Sequence, residues 1–80
     1  MAAAIRLKRV GKKHQPSYRI VVLDSRKDAA GDYLEAIGNY NNRAKPKLLE
    51  INEERAKYWL KVGARPSDTV RSLLKQKKLL

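Results

Sequence analysis

Arg6, Lys8, Arg9, Lys12, Lys13, Arg19, Arg26 and Lys27 fall within the first 27 residues, against the single carboxylate of Asp24. Guanidinium and ammonium groups at that density suit one kind of chemistry, the neutralisation of phosphates, and they exceed what solubility alone requires. His14 sits among them in Gly11-Lys12-Lys13-His14-Gln15-Pro16, where it can stack on a base, donate to a phosphate, or stand as an exposed turn residue. Other reactive constellations are missing. There is no cysteine for a thiol nucleophile or a disulfide, and a lone histidine supports neither a structural zinc site nor a serine–histidine–carboxylate arrangement. No glycine-rich phosphate loop is present. Asp24, Asp28 and Asp32 are spaced to line up only on a helix, and Ala29-Ala30-Gly31 between them argues against one. They read as solvated loop acids rather than a magnesium site for a nuclease. We therefore expect no catalysis, no metal and no cofactor.

Charge is uneven along the chain. Nineteen Lys and Arg face eight Asp and Glu, a net charge of +11 with an isoelectric point near 10.3. Residues 28–63 carry six of each sign, whereas residues 64–80 carry five cations against Asp68. Both ends are basic around a neutral middle, and no repeat, low-complexity tract or linker divides them, so residues 1–80 read as one nucleic-acid-binding domain. In a domain this short only roughly 60% of the unfolded surface is buried. Without disulfide or metal, a polyanionic partner is the remaining source of stability. Nucleic acid is the commonest such partner, and a free-standing DNA- or RNA-binding role is open at this point. No apolar run approaches membrane-span length, and cations start at Arg6 where a signal peptide should be apolar, so no membrane partner and a cytoplasmic location are expected.

Elements to carry these groups are legible. Ile5 to Val10 alternates, with Ile5 and Leu7 to one side and Arg6 and Lys8 to the other, as a half-buried strand does. Gly11 to Pro16 supplies a turn. Tyr18 to Leu23, β-branched and aromatic around Arg19, predicts a central strand covered on much of both faces. If these two strands pair, their eight cations form one continuous basic face. After a polar loop, Tyr33 to Tyr40 predicts a third strand with Gly38 marking a bulge, and Lys47 to Leu49 a short edge strand. Asn52 caps a helix over about Glu53 to Val62, closed by Gly63, with Ala56, Trp59 and Leu60 on its apolar face. Arg65-Pro66 interrupts the chain, and Ser67 caps a second helix with Val70, Leu73 and Leu74 as its stripe. Arg65 and Arg71 flank the start of that helix, where an anion is favoured. Tyr18 and Tyr33 read as half-buried core, and Tyr40, beside Asn41 and Arg43, as a candidate for stacking on a base.

The ordered pieces Ile5-Arg6-Leu7-Lys8-Arg9-x-Gly11-Lys12, Pro16-x-Tyr18-Arg19-Ile20-Val21-Val22-x-Asp24-Ser25-Arg26 and Glu35-x-x-Gly38-x-Tyr40-Asn41 occur here together with a fourth. That fourth is Trp59-Leu60, then Gly63-Ala64-x-Pro66-Ser67-Asp68-Thr69-Val70. Together they resemble the bacterial-type small-subunit ribosomal protein sixteen family over about residues 4–75. The resemblance implies an α+β fold, a small mostly antiparallel β-sheet with two helices packed on it. It implies a structural role in the small ribosomal subunit, bound as a monomer to the 5′ domain of 16S ribosomal RNA beside neighbouring small-subunit proteins and aiding assembly, with no small-molecule substrate. The sequence departs from the family pattern at Ser17, Asp32 and Asn42, and no RNA contact is carried onto Asp32. With six to eight phosphate contacts, log affinity should fall against log salt with a slope of about −4 to −7.

Overall fold

The computed structural model describes residues 3–12, 15–26, 33–41 and 48–80. Within them lie strands β1 (Ala3–Lys12), β2 (Gln15–Asp24), β3 (Glu35–Asn41), β4 (Leu48–Ile51) and β5 (Arg65–Pro66), with helices α1 (Glu53–Lys61) and α2 (Asp68–Gln76). The sheet runs β4-β3-β2-β1-β5, antiparallel except where β5 lies parallel to β1. The α+β expectation of a mostly antiparallel sheet with two helices is met.

β2 occupies the centre, and its run Ile20, Val21, Val22 and Leu23 is fully buried on both faces. That explains why it lacks the apolar–polar alternation of β1. The helix-covered face collects Ile5, Ile20, Val22 and Ile37 from the strands, Ala56 from α1, Ala64, and Val70, Leu73 and Leu74 from α2. Each of the larger side chains there stabilises the fold by about 1.5–3 kcal/mol relative to exposure. Trp59 and Leu60 pack at the margin of this cluster.

Between β2 and β3 the register slips: Ile20 faces Gly38 but Val21 faces Ala36. Ile37 is thus the extra residue of a bulge, its side chain turned into the core, and Gly38 beside it has a steric reason to be glycine. A Cβ there would collide with the Glu50 carbonyl oxygen of β4 and approach Ile20 Cδ1 and Ile51 Cα to 3.2 Å each. The third strand begins at Glu35 rather than Tyr33, although the Leu34 N–H still donates to the Val22 carbonyl at 2.7 Å.

Both helices are capped as their sequences predict. Asn52 Oδ1 accepts from the Arg55 N–H at 3.2 Å, and Ser67 Oγ from the Val70 N–H at 3.3 Å. At the end of α1, Gly63 with φ 97° donates to the Leu60 carbonyl and Ala64 to that of Trp59, a Schellman closure. α2 closes the same way through Lys78 and Leu79, but Lys78 holds φ 60° without being glycine.

One expectation needs correction. Arg65-Pro66 does not merely interrupt the chain: it forms β5, pairing Ala4 with Arg65 and Ile5 with Pro66, and the Ser67 N–H donates to the Ile5 carbonyl at 3.0 Å. A proline and an arginine, short of any β-pattern, become an edge strand because α1 delivers them beside β1.

Candidate nucleic-acid interface

Cross-strand partners in a sheet share a face, so the register decides which cations stand together. Lys8 pairs with Arg19, Arg19 with Asn39, and Asn39 with Glu50. These four form a row across β1, β2, β3 and β4 on the face away from the helices. Arg6 follows two residues along β1 from Lys8, opposite the buried Val21. Arg65 reaches the same side through its pairing with Ala4. The open face is therefore cationic over β5, β1 and β2 and turns polar, then acidic, over β3 and β4.

Tyr33 lies over this cationic half. Lys8 Nζ stands 5.0 Å from its ring centroid, a cation–π contact, and Arg19 Nη1 donates to its hydroxyl at 3.2 Å. The pairing steers both cations without neutralising either, so their charge remains available to a polyanion. Tyr33 is half-buried as expected, but it stands outside the apolar core cluster. Its actual role depends on the chain returning across β1 and β2, which no local pattern encodes.

Arg9 belongs elsewhere. It pairs with Tyr18, Tyr18 with Tyr40, and Tyr40 with Leu49, a row on the helix-covered side. The two tyrosine rings lie 6.2 Å apart at 33°, and Tyr40 packs against the apolar cluster. The expectation of one continuous basic face is thus corrected: strand alternation sends Arg9 to the face opposite Arg6, Lys8 and Arg19. Arg26 is exposed but held by its neighbour, its guanidinium donating to both carboxylate oxygens of Asp24 at 3.3 and 3.2 Å. That hydrogen bond, with the adjacent charge, raises its pKa.

Arg71 is exposed on the first turn of α2, in the helix layer, and does not join the open face. Asn41 ends β3 opposite Leu48. The backbone of Lys12 pairs with Gln15, extending the β1–β2 ladder. Lys13, His14, Lys27 and Arg43 lie outside the described residues, as do Asp28 and Asp32. Among the described residues no group of three or more His, Cys, Asp or Glu is placed to hold a metal, and no helix is long and apolar enough to cross a membrane.

One acidic group of the neutral middle, Glu35, serves the scaffold. Glu35, on the helix side after the bulge, accepts from Arg55 Nε and Nη2 at 2.7 Å each and from Trp59 Nε1 at 3.4 Å. The hydrogen bonds from Arg55 hold its carboxyl below the usual range, against an opposing desolvation effect. The Arg55 guanidinium also covers the Tyr58 ring at 4.6 Å. This fork ties α1 to β3 and keeps one arginine of the helix layer away from external anions.

Residues 9–67 match the model of a family described as Ribosomal protein S16. A relative from Natranaerobius thermophilus is 58% identical over 76 residues, covering 95% of this chain and 93% of its own length. One from Coprothermobacter proteolyticus is 49% identical over 80 residues, covering 100% and 99%. A third, from Chloroflexus aggregans, is 55% identical, covering 95% and 85%. Each of these relatives is named small ribosomal subunit protein bS16.

Proposed function

We propose, since this chain belongs to the ribosomal protein S16 family, that it acts as one domain binding the 5′ domain of 16S ribosomal RNA and helping the small subunit assemble. The family is a structural component of the ribosome and not an enzyme. Its setting is accordingly the cytoplasmic, bacterial-type ribosome, where the monomer would adjoin neighbouring small-subunit proteins.

One observation supports the RNA reading above the others: Arg6, Lys8, Arg19 and Arg65 share the sheet face opposite the two described helices, with Arg19 and Arg65 exposed and Arg6 and Lys8 partly so. Folded RNA presents phosphates and 2′-hydroxyls over a wide shallow groove, and a sheet face with cations on one half suits that target better than an apolar cleft would. Filter binding of a 5′-domain transcript across a salt series tests it. We expect a log–log slope of about −4 to −7. A salt-insensitive or absent interaction would defeat the proposal, and failure of the chain to accelerate assembly of subunits from depleted components would remove the assembly role.

A further inference from the structure

A concavity of about 640 Å³ opens where β1 and β5 meet, its lining including Ala4, Arg6, Ser25, Gly63, Arg65 and Ser67. Among the described residues its walls contain two arginines and two serine hydroxyls and no carboxylate. Small residues make up much of the lining, and a Cβ at Gly63 would meet nothing within 4 Å. Ser67 Oγ accepts from the Val70 N–H, which leaves its hydroxyl hydrogen to donate outward.

We infer that this concavity seats one nucleotide of an RNA strand, its phosphodiester shared between Arg6 and Arg65. This deepens the proposed RNA binding and rests on that reading for the source of the ligand. Guanidinium forks match phosphate oxygens two at a time, and two of them on neighbouring strands enclose one anion from two sides. The volume falls in the range of ordinary ligand sites and is ample for a nucleotide. A free phosphate would need only the two arginines. A strand gains more, because the seat continues along β1 from Arg6 to Lys8 and across to Arg19, offering the next phosphates further cations. The two arginines are 59 residues apart in sequence and meet only because β5 pairs with β1.

Two measurements on the full chain test the seat. In the first, the uridine trinucleotide UpUpU is titrated at low ionic strength while amide NMR signals are followed. Signals of Ser25, Gly63 and Arg65 should shift, fail to shift with the uncharged methylphosphonate analogue, and be lost in Arg65→Ala. Arg65→Lys, which keeps the charge but not the fork, should bind more weakly while the remaining spectrum certifies the fold. Equal shifts with the uncharged probe, or undiminished binding by Arg65→Ala, would overturn the seat; equal affinity for inorganic phosphate would overturn its assignment to a strand.

In the second, salt slopes for the 5′-domain transcript are compared among Arg6→Ala, Arg65→Ala and the double variant. Because one remaining cation still neutralises a shared phosphate, sharing predicts little change of slope in either single variant and a flattening by about 0.7–0.9 in the double variant. Summed losses in the double variant, or none, would refute sharing while leaving RNA binding intact. A chain that ignores the transcript yet holds UpUpU in this concavity would instead refute the RNA-domain reading and keep the seat.

Discussion

Two adjacent rows of the same four strands make opposite surfaces. Lys8, Arg19, Asn39 and Glu50 stand on the open side, while Arg9, Tyr18, Tyr40 and Leu49, one residue further along β1, stand on the side the helices cover. Nothing in composition separates Lys8 from Arg9. The pleat does, because successive side chains leave a strand in opposite directions. One row is therefore free to meet a polyanion, and the other ends in aromatic packing against the core. A strand thus builds a scaffold and an interface from one run of residues, provided its register is fixed. Here the bulge at Ile37 and the absence of a Cβ at Gly38 both depend on that register.

The contrast can be broken most forcefully from the covered side. Ile20→Ala, at a fully buried position in the middle of β2, should lower stability by roughly 2–5 kcal/mol in urea unfolding. Arg19→Ala, its immediate neighbour on the open side, should cost less than about 1 kcal/mol while flattening the RNA salt slope by about 0.7–0.9. Similar stability losses at both positions would show that the faces are not distinct. Next in size, Gly38→Ala should cost about 1–3 kcal/mol by forcing β4 away from β3, visible as earlier hydrogen exchange at Ile51 and Leu49.

A smaller effect separates the ion pair of the helix layer from the open cations. Glu35 is more acidic folded than unfolded, since Arg55 hydrogen-bonds its charged form. Its contribution is complete above the ordinary carboxylate range and fades as pH falls through the depressed folded value. Stability of the parent chain should therefore decline with acid more steeply than that of Glu35→Gln, and parallel acid profiles would refute the role. Smallest of all, Lys78→Gly should stabilise by about 0.5 kcal/mol by placing glycine where the α2 closure requires φ 60°. An unchanged melting temperature would show that Lys78 bears no strain.

Much of the scaffold was legible because its signals are local. The caps Asn52 and Ser67, the closing Gly63, the stripe Val70, Leu73 and Leu74, and the unbroken apolar run of β2 each follow from neighbouring residues. The interface was less so. Charge density announced a polyanion partner, but not that Arg9 would part from Lys8's face, that Arg26 would turn back onto Asp24, or that Tyr33 would cover Lys8 and Arg19.

By itself the amino-acid order determined the kind of partner, the strand and helix types and the apolar side of each, since charge, periodicity and capping act within a few residues. Only tertiary pairing decided that Arg65 would stand on the same face as Arg6. That meeting depends on α1 bringing a two-residue edge strand against β1, a long-range geometry whose free energy comes from the shared core and not from either arginine.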